Sequence, residues 1–152
     1  MSKIVLCLVD QSTELQAAVH YACLHARKRN EDVGLVYVIE PGDFQHFAAV
    51  ESLMKEELRA EAEGVLRKWA IVTEGLTGTR PLTYVREGDA LAELMTLMQE
   101  EPDIGHLVLG AGPHDAPGTL IHHLSGKWIH RLRVPMTIVP CHLEKADLES
   151  MA

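Results

Sequence analysis

The sequence lacks any apolar run close to the roughly 20 residues that a membrane-spanning helix needs. Its amino end carries six consecutive apolar residues, Ile4 to Val9, and then passes directly into charged, helix-forming sequence without a small-residue cleavage site. We therefore expect a buried first strand rather than a signal peptide. Basic residues are also scarce, since 14 Lys and Arg face 22 Asp and Glu, for a formal charge of −8. This balance predicts no nucleic acid and no membrane among the partners.

Cysteine is another scarce residue type, with three in the chain. Cys7, Cys23 and Cys141 have neither metal-binding nor redox spacing, which suits a reducing cytosol. We expect all three to be small hydrophobic residues of the core.

Histidine is plentiful, with nine residues, but the motifs of metal sites are missing. There is no HExxH, and His20 and His25 are not at the i, i+4 spacing of helical zinc pairs. His122 and His123 are adjacent, so a helix would point them about 100° apart. We therefore predict no metal site.

The sequence also lacks the motifs of nucleophilic catalysis. It has no G-x-S-x-G elbow, and Asp10-Gln11-Ser12 is without the glycines of a pyrophosphatase-type loop. The acidic pairs Glu56-Glu57 and Glu100-Glu101 lie on polar helix faces or ends, where we expect them to be solvated. The prediction is a protein without catalytic residues that is not an enzyme.

What is present is an alternation of strand and helix patterns over 152 residues, a length that suits one domain. Continuous apolar runs predict buried parallel strands, and three-or-four spacing predicts helices. The order β-α-β-α-β-α-β-α-β implies right-handed crossovers and a five-stranded parallel sheet with helices on both faces. The predicted strands are Ile4–Val9, Val33–Ile39, Pro81–Arg86, Leu107–Leu109 and Met136–Val139.

Four helices are predicted between these strands. Ser12 and Asp89 are the expected N-caps of the first and third helices. Residues 74–79, with two glycines, are expected to form a loop, and the polar residues 142–152 an appended turn or frayed tail after a domain of residues 1–141. The predicted helices run from Leu15 to Arg29, from Phe44 to Val72, from Leu91 to Met98, and from Leu120 to Leu132.

A glycine- and proline-containing loop connects the fourth strand to the fourth helix. It begins at Gly110 and includes Pro113, Pro117 and Gly118. Such a loop is either an ordinary connection or a place where backbone N–H groups and a helix N-terminus meet an anion. Asp10 and Gly110 both follow strands at the carboxyl edge, where ligands of such sheets bind, which favours an anion site.

Several stretches follow one another in a characteristic order along the chain. They are KIVLCLVDQS, VGLVYVIEP, the long second helix, REGDALAEL, HLVLGAG and VPMTIVP. Through this ordered set the chain resembles the universal stress protein family over nearly its whole length. The resemblance implies a flavodoxin-like, three-layer α/β/α domain with strand order 3-2-1-4-5, a homodimer, and a cytoplasmic protein linked to stress or metabolic state. Many members of the family bind ATP.

The resemblance also implies positions for the site. Asp10 would contact the adenosine part of the nucleotide, Val38 would lie against the adenine, and Gly110 would open the phosphate loop. The family's pattern G-x2-G-x9-G-[ST] is otherwise broken, because its second glycine falls on Pro113 and its closing pair on His123-Leu124.

Prolines carry no backbone N–H, so this loop cannot present the usual row of amide donors. Two short stretches could replace them, since a hydroxyl, an ammonium and a helix start can all hold phosphate. The first is Gly118-Thr119, and the second contains Ser125 and Lys127.

Three hypotheses follow. The leading one is a homodimer that binds ATP or AMP between strands one and four without requiring it as a cofactor. The alternative is a nucleotide-free dimeric interaction protein of the same fold, and the third is a slow nucleotide hydrolase using Asp10 and a histidine of His122-His123. In each dimer the predicted contact is the apolar edge strand five, Met136, Thr137, Ile138 and Val139.

Overall fold

A computed structural model describes residues 3–10, 15–40, 48–112, 121 and 124–152, with the backbone alone for residues 48–52. Its five strands form one parallel sheet in the order β3-β2-β1-β4-β5, as predicted. The chain alternates strands and helices along its length. The strands are β1 (Ile4–Leu8), β2 (Asp32–Ile39), β3 (Leu82–Glu87), β4 (Ile104–Ala111) and β5 (Met136–Pro140).

The central strand β1 is buried on both faces because helices cover each side of the sheet. Val5 and Cys7 point into one core with α1 and α2, which we call the α1-side core. Ile4 and Leu6 point into the other, which contains residues of α3 and is called the α3-side core. The helices are α1 (Leu15–Arg29), α2 (Ala48–Thr77), α3 (Ala90–Glu100) and α4 (Lys145–Met151).

The start of α3 confirms a local prediction. A carboxylate oxygen of Asp89 accepts a hydrogen bond from the backbone N–H of Ala92 at 3.0 Å, as an N-cap does. The helix ends at Glu100, before Pro102. Ser12, the other expected N-cap, lies outside the described residues, as does the predicted start of α2 at Phe44.

The predicted end of α2 is wrong. The helix continues through Gly75 to Thr77, and the expected loop at residues 74–79 shortens to the turn around Gly78. Gly78 has φ +79°, and its N–H donates to the carbonyl of Glu74 at 2.8 Å, which is the usual glycine ending of a helix.

The fourth predicted helix ends earlier than expected. Ile121, Leu124 and Ser125 are helical, but turns follow Ser125 and a 3-10 turn occupies Ile129–Arg131. Trp128 and Leu132 therefore pack against the α3-side core from outside a regular helix. Leu120 lies outside the described residues.

The chain after residue 141 is an ordered helix, so the expectation of a turn or frayed tail is wrong. Glu144 and Asp147 form a capping box at the start of α4, and Leu148 is buried in the α1-side core. Leu148, with the partly buried Leu143 just before the helix, thus attaches α4 beside α1. The division of the chain into residues 1–141 and 142–152 remains a prediction.

The cysteines divide into two groups. Cys7 and Cys23 are free and fully buried, as expected of core residues, whereas Cys141 is partly exposed. Burial raises the pKa of the Cys23 thiol to about 11 and raises the pKa of Cys7 further, so neither is a thiolate at neutral pH. None of the helices described is long and apolar enough to cross a membrane.

Candidate nucleotide site

Three of the predicted site residues lie at the carboxyl edge of the sheet, Val38 and Gly110 within β2 and β4 and Asp10 two residues after the end of β1. Leu8 of β1 is paired with Val36 of β2, and the N–H of Val9 donates to the Val36 carbonyl at 2.8 Å. Two residues farther along each strand, Asp10 and Val38 therefore lie at the same level.

Gly110 reaches the same edge from the other side of β1, and the prediction that it begins a loop is wrong, because β4 continues through Gly110 to Ala111 in its pairing with β5. Cys7 is paired with Val108 of β4, so Gly110, two residues later, lies close to the level of Val9 and Asp10. The chain runs outward from β1 to β2 and β3 and then returns to β4 on the opposite side. The crevice between β1 and β4 is therefore the switch point of the sheet, where ligands of such folds bind.

Asp10 is an exposed carboxylate directly after the buried Val9. Its charge is close enough to contribute, after burial and Cys23, to the raised pKa of the Cys7 thiol. A rigid buried strand thus holds a carboxylate at the solvent boundary, where its oxygens can accept hydrogen bonds from the hydroxyls of a ligand.

Val38 gives this edge of the sheet an apolar surface, and Gly110 leaves space beside the crevice. Val38 is partly buried, packs against the α3-side core and is paired with Arg86 of β3. Gly110 is paired with Val139 of β5 and adds no side chain beside the crevice. Together with Asp10 they make a site with one charged acceptor and one apolar contact surface, which suits an uncharged ring attached to a polyol.

The residues expected to hold phosphate are less favourably placed. Ser125 donates its hydroxyl hydrogen to the carbonyl of Ile121 at 2.7 Å, so that donor is already used within the helix. Lys127 is exposed in the turn that follows. Leu124, at the position where the family pattern has a hydroxyl residue, is fully buried in the α3-side core. Gly118 and Thr119 lie outside the described residues, together with Pro113 and His123.

The structure also brings together a polar cluster that the sequence reasoning missed, formed by Tyr21, His25, His106 and Thr137. His25 and His106 have ring centroids 4.7 Å apart, and Tyr21 stacks on His25 at 5.8 Å. The Nε2 atom of His106 is 2.6 Å from the Thr137 hydroxyl on β5. Polar residues at His106 and Thr137 within apolar strands were the signal that could have indicated it.

The two histidines of this cluster favour the neutral state. Burial lowers the pKa of His25, with the nearby Arg29 adding to the effect and Glu31 opposing it. Burial likewise lowers the pKa of His106, followed by the charges of His25 and Arg29. Within the described ranges no group of three or more His, Cys, Asp or Glu is arranged to hold a metal ion. The prediction of no metal site stays a prediction.

The family model described as "Universal stress protein family" matches residues 1–140. The chain belongs to the universal stress protein family. Solved structures agree with this in their fold. UspA from Lactobacillus plantarum is 20% identical, with a TM-score of 0.75 over 90% of this chain and 97% of that one. No curated protein matches the chain.

Two further structures are complexes of universal stress proteins with nucleotides. One, from Archaeoglobus fulgidus in complex with dAMP, is 14% identical, with a TM-score of 0.61 over 91% of this chain and 98% of that one. The other, in complex with cAMP, is 17% identical, with a TM-score of 0.64 over 92% and 98%. At these identities the likeness establishes the fold alone.

Proposed function

We propose that this universal stress protein is a cytoplasmic homodimer that binds adenine nucleotide, ATP or AMP, as a sensor of stress or metabolic state. The observation that supports the proposal is that Asp10, two residues after β1, and Val38 and Gly110, on the strands either side of it, lie at the carboxyl edge around the switch point. The complexes of universal stress proteins with dAMP and cAMP support the same ligand class.

Each of the three residues has a role that follows from its chemistry. The Asp10 carboxylate accepts hydrogen bonds from the ribose hydroxyls, and two such bonds orient the sugar. The Val38 side chain gives the adenine ring an apolar surface. Gly110 lets the nucleotide approach the backbone of β4 because no Cβ stands in the way.

Binding of the phosphates is the weak part of this site. We assign it to Gly118, Thr119, Ser125 and Lys127, of which Lys127 supplies the only ammonium group in the set. The buried Leu124 offers no hydroxyl, and the Ser125 hydroxyl would have to leave its bond to Ile121 before it could donate to a phosphate. The adenosine part therefore supplies most of the affinity, and ATP and AMP bind with similar strength. No group is assigned to catalysis.

The test is thermal unfolding with AMP, ATP or no ligand. A ligand that binds only the native state adds about 2.7 kcal/mol at one hundred times its Kd, so millimolar nucleotide should raise the Tm. Asp10→Ala should remove most of this shift. Asp103→Ala is the matched control, because it deletes an aspartate at the opposite, amino end of the sheet, and it should keep the shift.

Three results would refute the nucleotide proposal. They are an unchanged Tm for folded wild-type protein, an equal shift in both variants, or a shift lost in both. Freshly purified protein, gently denatured and examined by mass spectrometry, adds an independent measurement, since nucleotide carried through purification would be released and identified.

The second candidate is a nucleotide-free dimeric interaction protein. Leu124, buried in the α3-side core where a phosphate-binding hydroxyl would be needed, is the observation that favours it. This candidate expects a dimer through β5, no co-purified nucleotide and no thermal shift. The first candidate expects the same dimer with both nucleotide signals, so the two measurements together separate them.

A further inference from the structure

The carboxyl half of α2 exposes a large apolar side chain at the end of the molecule opposite β5. Ile71 is 74% exposed, the highest value for any large apolar side chain that the structure describes, and its neighbour Val72 is 37% exposed. Gly64, Lys68, Ile71 and Gly75 follow one another at intervals of four, three and four residues, which places them on one side of the helix. We call this line the Ile71 stripe.

The two glycines of the stripe have no structural reason within the part of the chain that the structure describes. A Cβ added at Gly75 would meet no heavy atom of the described residues within 4 Å, and one added at Gly64 would meet only the end of the Arg67 side chain at 3.8 Å. Neither has the positive φ that would require glycine. Glycine inside a helix costs stability, so these positions are explained by a surface that comes close from outside.

The charges beside Ile71 fit a second copy of the same helix. Lys68 and Glu74 lie three residues before and after Ile71, and both are exposed. In an antiparallel pair of α2 helices whose two-fold axis passes Ile71, Lys68 of one copy faces Glu74 of the other, twice. By the same symmetry Arg67 lies over the open backbone of the other copy's Gly75.

The present contacts of these charges do not oppose the pairing. Glu74 forms a 3.8 Å ion pair with Arg80, but both side chains are more than half exposed, so the pair is worth little. The exposed Lys68 side chain places its ammonium 5.1 Å from the centre of the Trp69 ring. Both groups can therefore turn towards a second copy at small cost.

The surface on either side of Ile71 is concave. A groove of about 660 Å³ lies between α2 and β3 and includes Leu66, Ala70 and Val85. A second groove of about 470 Å³ lies between α1 and α2 and includes Trp69 and Leu76. Ile71 lines both grooves, so its side chain projects between them. The grooves leave room for side chains of a second copy on both sides of Ile71.

We propose that the Ile71 stripe is a self-association surface, where two copies of the chain cross antiparallel through α2. The partner is a second copy because the stripe carries balanced charges in a symmetric order and its glycines leave room for the side chains of a second helix. A contact limited to one helix pair is small, so the association is weak and depends on protein concentration. It does not depend on nucleotide, and it uses the β3 end of the sheet, which leaves β5 available.

Disulfide trapping tests the symmetry directly. In a Cys141→Ser background, which leaves only the buried Cys7 and Cys23, Ile71→Cys places thiols of two copies together at the axis. The matched control is Leu53→Cys, since Leu53 is 59% exposed on the same helix but 18 residues, about 27 Å, away. We expect disulfide-linked dimers to form at least about tenfold faster from Ile71→Cys. Equal rates would overturn the proposal.

A charge exchange then tests the pairing within the Ile71→Cys, Cys141→Ser protein. Lys68→Glu and Glu74→Lys should each slow the cross-linking about fivefold, because each places like charges together at two symmetric points. The double variant should recover the original rate. Additive slowing in the double variant, or no change in the single ones, would contradict the antiparallel arrangement.

Gly75→Leu distinguishes a role of Gly75 in self-association from a role in the fold. The added side chain fills the space assigned to the other copy's Arg67, so cross-linking through Ile71→Cys should nearly stop. Leucine is also a better helix former than glycine, so the Tm should stay the same or rise. Continued cross-linking at the original rate would refute the close approach, and a fall in Tm would show that the glycine serves the fold instead.

Discussion

β3 and β5 lie at opposite edges of the same sheet, but the side chains around them differ. β3 follows Pro81, is largely exposed, and ends in ion pairs that join Arg86 to Glu100 and Glu87 to Arg59. β5 contains no charged residue, is half-buried from Met136 to Ile138 and is fully buried at Val139. Charged residues and proline protect the edge strands of proteins from pairing. β3 has this protection and is suited to face solvent, whereas β5 lacks it and is suited to pair with another strand.

The comparison indicates where the chain can pair through its backbone. An apolar strand with unpaired N–H and C=O groups is a template for a second strand, and a two-fold mate would satisfy them. The dimer through Met136, Thr137, Ile138 and Val139 is our proposal on this ground. The Ile71 stripe lies at the β3 end and uses a helix surface instead, since the edge of β3 is already occupied by charge.

The strongest test of the comparison is Val139→Pro. Proline deletes an N–H donor and places a ring in a strand that pairs with β4, which should cost at least about 3 kcal/mol of unfolding free energy. We expect the wild type to be a dimer by light scattering and the variant to be monomeric or aggregated. A wild type that is monomeric at tens of micromolar would refute the β5 contact.

A matched pair of lysine substitutions distinguishes the edges with a smaller effect. Ile138→Lys adds a charge to β5 and should weaken the dimer at least about tenfold, because the ammonium would be desolvated against the other copy. Leu82→Lys adds the same charge to β3, where Leu82 is already 43% exposed, and should leave the dimer unchanged. Sedimentation over a concentration series measures both. Equal responses would show that the edges do not differ as proposed.

The smallest expected effect is a dependence of stability on pH. It arises beside β5, where His106 contacts Thr137 and His25 contacts His106. The folded state lowers the pKa of His25 and His106, so below about pH 6.5 the unfolded chain binds more protons than the native one. The unfolding free energy should therefore have its full value above that pH and decrease as the pH falls towards 5. Arg29 adds to this effect and Glu31 reduces it.

Denaturant unfolding at pH 7.5 and about pH 5.5 measures this loss, the lower value lying below the ordinary histidine pKa. His25→Gln should make the difference between the two smaller, while His142→Gln, at an exposed position, should leave it as in the wild type. A larger difference in the His25 variant would contradict the assignment.

The sheet could be predicted from the sequence because each strand has a local pattern strong enough to fix it. Runs such as Ile4 to Leu8 can only be buried on both faces, and their alternation with helices determines a parallel order. Likewise the carboxyl edge follows from strand direction, which predicts Asp10 and Gly110 at the same edge of the sheet, whereas Val38 came from the resemblance to the family. The strand order came from the resemblance to the family.

What could not be predicted depends on packing between distant segments. Gly75 suggests a loop, but the rest of α2 carries the helix through it, since packing outweighs a local propensity of about 1 kcal/mol. Leu143 and Leu148 are two leucines in a polar segment, too few for a periodic pattern, yet both pack against the α1-side core and hold α4 there. The contact of His25 with His106 joins a helix to a strand far along the chain, so no spacing indicates it.

The central position of β1 also bears on how the protein folds. One pairing partner of Ile4 is Ile104, which lies about one hundred residues later in the chain. A chain made only as far as α2 consequently exposes one edge of β1, and Leu148 comes later still. Folding should therefore be slow for the size of the chain, because the central contacts are so distant in sequence.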